Sequence, residues 1–351
     1  MVRHRQTPCP IYIGSGLFAR IEEFATAHLP GRRVAVIADA EVARLHPPPA
    51  SLTVFTFPAG EESKTRDTWA RVTDQLLAAG FGRDSGIMAL GGGVAGDLAG
   101  FVAATYTRGV PLLQVPTTLL AMLDASVGGK TGVDTPAGKN LVGAFHPPQA
   151  VVMDPLMLRT LPDHAFRNGL AEAVKHAALD SESHFQWLGS QAEAILARDP
   201  LAVEELLRRN VAVKAAIVEQ DETEQGRRAL LNLGHTVAHA LELRSGYTLL
   251  HGDAVATGLI LETRLGEQLG LTERGTAQKL AELMRRLGLP DWAQVGKPPD
   301  ELLAAMKTDK KNREGRIRLA LLERIGAPRG SDKEGWTTAV SEADFLGVLQ
   351  D

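Results

Sequence analysis

Three histidines, His235, His239 and His251, fall within the segment Leu231–Gly258, whose other residues are mostly apolar helix formers. An unprotonated imidazole nitrogen is a good ligand for a divalent metal such as zinc. His235 and His239 are four residues apart, so on a helix they share one face. A two-histidine face completed by a third ligand from elsewhere is a common plan for a catalytic metal site. Spacing alone therefore nominates His235 and His239 as a metal pair. Arg228 and Asn232 precede His235 by seven and three residues and fall on the same face if the helix runs back that far.

A second group of polar residues sits in AFRNGLAEAVKHAALD, residues 165–180, where Glu172 and Lys175 are three apart among alanines and leucines. An acid on an apolar helix needs a partner once buried. Glu172 is thus either a metal ligand or half of an intrahelical pair with Lys175, and His176 reads as structural. Lys214 and the run KTDKKN at 307–312, which contains Lys310, add basic groups; charge runs are usually solvated faces.

The other half of the chain carries glycine-rich turns. Gly91, Gly93 and Gly96 in GGGVAGD satisfy the G-x-G-x-x-G spacing, after a strand-like IMAL and before a helix-like LAGFVAATY. In that context glycine backbone approaches a pyrophosphate at a helix N-terminus. The acid expected about 20 residues later is missing, because VPLLQVP stands there. Asp39, at an upstream strand end, is either a substitute ribose ligand or an acid with no such role. DASVGGKT at 124–131 imitates a Walker A loop, but Asp124 replaces its first glycine and no buried strand leads directly into it. Lys130, Lys139 and Asn140 lie among flexible glycines, which suits an anionic substrate or a solvated loop.

Strand-like runs at 32–39, 52–60, 85–93 and 110–116 alternate with helical spacing such as 65–79, which predicts an α/β layer around a largely parallel sheet. Beyond about Pro155 helical patterns dominate: 165–178, 183–197, 201–220, 231–243, 253–269 and 276–287. The chain of 351 residues is longer than one core usually spans, so two domains are expected, 1–155 and 156–351, with a site in the cleft between them. A net charge of −4 gives no global basic field for nucleic acid. No apolar run suits a membrane helix, and the first residues lack a signal-peptide core. The single cysteine, Cys9, excludes an internal disulfide, and a cytoplasmic location is expected.

Nine segments, in order, carry a family resemblance: PAGEESKT, GGGVAGDLAGFVAATYTRG, VPTTLLAMLDASVGGKTGVD, GKNLVGAFHPP, LRTLP, GLAEAVKHA, LLNLGHTVAHALE, HGDAVATG and KTDKKN. Together they resemble the 3-dehydroquinate synthases of the sugar phosphate cyclase family. One departure is Asp253, where the family usually has Glu. The resemblance implies an α/β, Rossmann-like N-terminal domain that binds NAD, an all-α C-terminal metal-binding domain, and a homodimer. It implies Glu172, His235 and His251 as ligands of zinc or cobalt, with His239 turned to the substrate. Asp39, Glu61, Lys64, Gly93, Asp97, Thr117, Thr118, Lys130, Lys139 and Thr160 match NAD-contacting positions. Asp124, Lys130, Lys139, Asn140, Lys175, Lys214, Arg228, Asn232, His239 and Lys310 match the substrate site. Arg108 matches a residue that reaches the neighbouring subunit's phosphate pocket.

The implied activity turns 3-deoxy-D-arabino-heptulosonate 7-phosphate into 3-dehydroquinate and phosphate, a step of the shikimate pathway. NAD takes a hydride and returns it, so it is catalytic. Phosphate elimination lies between, and ring opening and an aldol closure follow. The rivals are another sugar phosphate cyclase, such as a valiolone-type synthase, a polyol or glycerol-phosphate dehydrogenase, and a non-catalytic NAD-binding module.

Overall fold

The computed structural model describes residues 8–290, 299–307 and 317–350. It divides into two compact units, Met1–Pro162 and Asp163–Asp351.

The first unit is built on strands β1 (Ile11–Ile13), β2 (Arg33–Asp39), β3 (Thr53–Phe57), β4 (Ser85–Gly91), β5 (Leu112–Pro116) and β8 (Ala150–Met153). They form one six-stranded sheet in the order β1-β8-β5-β4-β2-β3, with every pair parallel. β4, β5 and β8 are buried along their whole length. That explains their sequence texture: strands covered on both faces read as continuous apolar runs without alternation. Helices α1 (Ile21–His28), α2 (Ala40–Leu45), α3 (Arg66–Ala78) and α4 (Gly93–Thr105) make crossovers. α3 starts where the Thr65 hydroxyl accepts from Thr68 N–H, and it buries Val72 and Leu76. Those side chains join Ile37, Phe57, Phe81, Ile87, Leu98 and Val102 in one core.

The chain runs from β2 outward to β3, then returns past β2 to β4 and continues the other way to β5. The carboxyl ends of β2 and β4 thus flank a topological switch point, where open α/β sheets bind ligands. Strands β6 (Lys130–Thr135) and β7 (Gly138–Phe145) lie outside this sheet as an antiparallel hairpin. The expectation of a flexible glycine loop here is corrected. The glycines serve strand pairing: a Cβ on Gly143 would sit 2.1 Å from the Thr131 carbonyl oxygen.

The helical unit starts at Asp163, after a 3-10 turn at Pro155–Thr160 that belongs with the first unit. Its helices are α5 (Asp163–Asp180), α6 (Glu182–Ser190), α7 (Ala192–Leu196), α8 (Pro200–Gln220), α9 (His235–Arg244), α10 (His251–Gln268) and α11 (Thr276–Arg286), followed by Pro299–Lys307 and Glu342–Gln350. The unit is helical but not all-α, because Ile317–Leu319 pairs with Thr338–Val340 and Leu322–Arg324 with Ala327–Pro328. The helix expected over 183–197 is broken at Gln191, after the weak helix formers Gly189 and Ser190. The helix expected over 231–243 is also corrected. Residues 227–232 form a 3-10 turn, Gly234 takes a left-handed conformation at φ 78°, and α9 begins at His235. No helix among the described residues is long and apolar enough to cross a membrane.

Candidate active site

Glu172 lies at the middle of α5, a helix buried on nearly all sides. His235 and His251 are the first residues of α9 and α10. Two glycines let these three helices meet. A Cβ on Gly252 would fall 1.9 Å from the Asn168 carbonyl oxygen of α5, and one on Gly258 would fall 1.9 Å from the Gly234 carbonyl oxygen before α9. Any side chain there would force the backbones apart.

One ligand atom from each of Glu172, His235 and His251 lies within 4.8 Å of the others. Glu172 Oε1 is 3.4 Å from His235 Nε2 and 3.3 Å from His251 Nε2. Tetrahedral zinc with bonds of about 2.0–2.2 Å holds neighbouring ligand atoms about 3.3–3.5 Å apart. The tautomer argument agrees. His235 Nδ1 is 3.0 Å from the Leu233 carbonyl, which only accepts, so Nδ1 carries the proton. The Nε2 lone pair then faces a carboxylate oxygen. Two acceptors so placed repel unless a cation sits between them, and the residues fit a divalent metal.

The charges around the centre are uneven. Glu172 is fully buried and in close ionic contact with Lys175, which is also buried and donates to the Leu231 carbonyl at 2.8 Å. Burial opposes Glu172 ionisation, but Lys175 first and then the two imidazoles hold its carboxyl well below the usual range. Burial, with the Lys175 charge, pushes His235 down to about 4. Burial also opposes a charge on His251, yet Glu172 and Glu242 outweigh it and raise the ring to about 10. The intrahelical Glu172–Lys175 pair therefore forms, fully buried, beside the two histidines.

His239 lies one turn along α9, exposed, with its ring centroid 5.6 Å from that of His235. It stands outside the three-ligand cluster, so the spacing-based His235–His239 pair is corrected. Arg228 and Asn232 do not share a helical face with His235, because the chain turns at Gly234. Asp221 instead gathers Gln225 N–H, Gly226 N–H and Arg228 N–H at 2.8–3.0 Å, the buried Arg228 guanidinium donates to the Glu222 carbonyl, and Asn232 donates to Glu224 at 2.7 Å. Lys214 is buried on α8. Lys310 lies outside the described residues.

Sequence reasoning missed two carboxylates in this unit. Glu262, fully buried on α10, accepts from Gly234 N–H at 2.9 Å and Val237 N–H at 3.0 Å, and so anchors the start of α9. Its signal was a lone acid in the apolar run ATGLILETRLG. Glu242, whose Oε2 is 3.5 Å from His251 Nδ1, follows His235 by seven residues on the same helix.

In the first unit, β4 runs into α4 through Gly91 and Gly92. Gly91 has φ 153°, and a Cβ there would meet Ala95 Cβ at 2.5 Å and Asp39 Oδ2 at 3.3 Å. α4 has no side-chain cap, so its first N–H groups suit an anion. Asp39 caps α2 with one oxygen, accepting from Val42 N–H at 2.8 Å, while the other faces Gly91. This turn fits a dinucleotide phosphate. Nearby, Lys64 Nζ is 2.6 Å from Asp97 Oδ2, and Lys139 Nζ is 3.4 Å from Glu61 Oε1. Thr117 N–H donates to the Gly91 carbonyl, the Thr118 hydroxyl accepts from Ala121 N–H, and Thr160 Oγ1 is 2.7 Å from His46 Nε2.

Lys130 and Asn140 belong to the β6–β7 hairpin, and Asn140 N–H donates to Asp134 at 2.8 Å. Asp124 lies in a π-helical turn, Ala121–Ala125, so DASVGGKT is no P-loop. Arg108 is exposed on a turn where it and Thr107 both take positive φ, 71° and 48°.

Two family models match the chain, the 3-dehydroquinate synthase N-terminal model over residues 54–168 and the C-terminal model over 169–312. The chain belongs to the 3-dehydroquinate synthase family. It is 46% identical over 336 residues to a 3-dehydroquinate synthase of Xylella fastidiosa, covering 91% of this chain and 90% of that one. To that of Xanthomonas campestris pv. campestris it is 44% identical, over 98% and 96% of the two chains. Among solved structures, a 2-epi-5-epi-valiolone synthase from Streptomyces hygroscopicus subsp. jinggangensis, with NAD+ and Zn2+ bound, matches at TM-score 0.85 and 29% identity over 100% of this chain and 98% of that one. A 2-deoxy-scyllo-inosose synthase complexed with carbaglucose-6-phosphate, NAD+ and Co2+ shares the fold at TM-score 0.86 and 24% identity, over 97% and 95%.

Proposed function

We propose that this chain is a phosphate-eliminating cyclase that converts 3-deoxy-D-arabino-heptulosonate 7-phosphate into 3-dehydroquinate and phosphate, with NAD and zinc or cobalt as its bound groups. The observation that carries this reading is a buried Glu172–His235–His251 cluster in a chain similar along nearly its full length to 3-dehydroquinate synthases. When bound, the metal lowers the cost of a substrate alkoxide and NAD takes up and returns its hydride.

The chain's own residues do the rest. Glu172, His235 and His251 hold the metal. The Gly91–Gly93 turn and the start of α4 receive the dinucleotide phosphates, and Asp39 receives a ribose hydroxyl. Glu61, Lys64, Asp97, Thr117, Thr118, Lys130, Lys139 and Thr160 line the NAD site. Lys139, Lys175, Arg228 and Lys310 bind substrate phosphate and carboxylate, and these contacts orient it through several steps. Asp124, Lys130, Asn140, Lys214 and Asn232 complete the substrate contacts. His239 shuttles a proton as a general acid and base. Residues 1–162 form the nucleotide-binding domain and 163–351 the metal- and substrate-binding domain. The exposed Arg108 reaches a second copy of the chain, as a homodimer.

The test is turnover of the heptulosonate phosphate with NAD and Zn2+. The expected result is one phosphate released per turnover, no net NADH, and a product with the mass of 3-dehydroquinate. Stoichiometric NADH would make the chain a dehydrogenase, and turnover restricted to heptulose phosphates lacking the carboxylate would make it a different cyclase.

A further inference from the structure

The geometry points to Glu242 as a positioning residue for the metal ligand His251, an assignment that rests on Glu172, His235 and His251 being the ligands. His251 presents Nε2 to Glu172 Oε1 at 3.3 Å and Nδ1 to Glu242 Oε2 at 3.5 Å. A histidine that ligates through Nε2 must keep its proton on Nδ1. A carboxylate on that side fixes the tautomer, sets the ring orientation and makes the ligating nitrogen more basic.

Glu242 is buried, with 5% exposure, so its charge acts with little solvent screening. Its place on α9 follows from spacing. His235 opens the helix and Glu242 stands two turns on, at i and i+7, on the same stripe. One helix thus supplies a ligand of its own and the support for the ligand that opens α10.

The two histidines are held differently. His235 leans on a neutral acceptor, the Leu233 carbonyl at 3.0 Å, and His251 on an anion. Charge explains the difference. Lys175 is in ionic contact with Glu172, the carboxylate both rings share, and draws electron density from that ligand. Glu242 returns negative charge from the far side of His251. The Glu242 main-chain carbonyl separately accepts from Tyr247 N–H at 2.8 Å and from the Ser245 hydroxyl at 2.9 Å.

The experiment titrates metal-stripped full-length protein with Co2+ and Zn2+ against a chromophoric chelator, alongside Glu242→Gln, Glu242→Asp and His251→Ala. Melting of each metal-free protein is recorded in parallel. In Glu242→Gln the dissociation constant is expected to rise about 10–100-fold, with the visible Co2+ band shifted and the metal-free melting temperature unchanged. Glu242→Asp, which withdraws the charge by one methylene, is expected to fall between Gln and wild type. Wild-type affinity in both Glu242 variants overturns the inference. So does a loss of affinity matched by an equal loss of metal-free stability, which would make Glu242 merely structural. Wild-type affinity in His251→Ala would bring down the ligand set itself, an outcome read independently of Glu242.

Discussion

Lys64–Asp97 in the first unit and Lys175–Glu172 in the second are both lysine–carboxylate pairs, the first partly and the second fully buried. Their carboxyls nevertheless move in opposite directions. Burial raises Asp97, and the Glu61 and Asp134 carboxylates add to that, so the single Lys64 cation does not win. Glu172 is the more deeply buried, yet Lys175 together with two imidazoles keeps it ionised. The pair itself does not decide; the next charges outward do. Asp97 belongs to a group already rich in carboxylates. Glu172 is the anion on which one lysine and two ring nitrogens converge.

The largest effect expected from this contrast is in Glu172→Ala. Removing the shared anion takes the buried Lys175 cation's Glu172 counter-charge away, at a cost of about 3–5 kcal/mol in the metal-free protein, read from urea unfolding, and bound metal falls to zero. A variant that keeps its metal would end the comparison. His239→Ala sharpens the centre's boundary: kcat is expected to fall about 10²–10⁴-fold while elemental analysis finds metal unchanged. Loss of metal there would restore the His235–His239 pair that spacing suggested. Lys64→Met should be milder than Glu172→Ala, about 1–3 kcal/mol, because burial and the Glu61 and Asp134 carboxylates already raise Asp97 and weaken the hold of Lys64 on its charge; equal costs in the two variants would erase the distinction. The smallest effect is in proton linkage. His251 in the metal-free pocket is raised to about 10, so below that pH it carries a proton that metal must expel. Apparent metal affinity should therefore rise with pH, about tenfold per unit between roughly pH 6 and 8 for one proton, and calorimetry in buffers of different ionisation enthalpy should find that proton. No release would mean that Glu172 and Glu242 do not hold His251 charged.

Much of the first unit was legible in the chain. The apolar runs of β2, β4 and β5 and the Gly91–Gly93 turn signal a parallel sheet locally, because each strand's burial and each turn's backbone freedom are written in a few adjacent residues. The β6–β7 hairpin was not legible: its glycines serve close strand contact, and a glycine reads the same whether it loosens a loop or lets two backbones touch. In the helical unit, helices were found where capping and periodicity were local, as at Asp199–Pro200, whose side chain and ring start α8. The break at Gly234 was hidden, because LLNLGHTVAHALE has helical periodicity on both sides of one glycine. Misplacing that start drew Arg228 and Asn232 onto the face that His235 and His239 share.

By itself the sequence determined the residue types able to do the chemistry, the α/β-then-helical order, and, through its motifs, the family. The motifs also implied Glu172, His235 and His251 as a set without His239, but only the tertiary structure shows these three gathered from three helices with His239 outside the cluster. It also brought Glu242 behind His251 and Glu262 beneath the first turn of α9. The physical reason is range. Helix and strand periodicity report neighbours within a few residues, whereas the carboxylate and imidazoles here are joined by helix crossings that depend on backbone contact at Gly252 and Gly258.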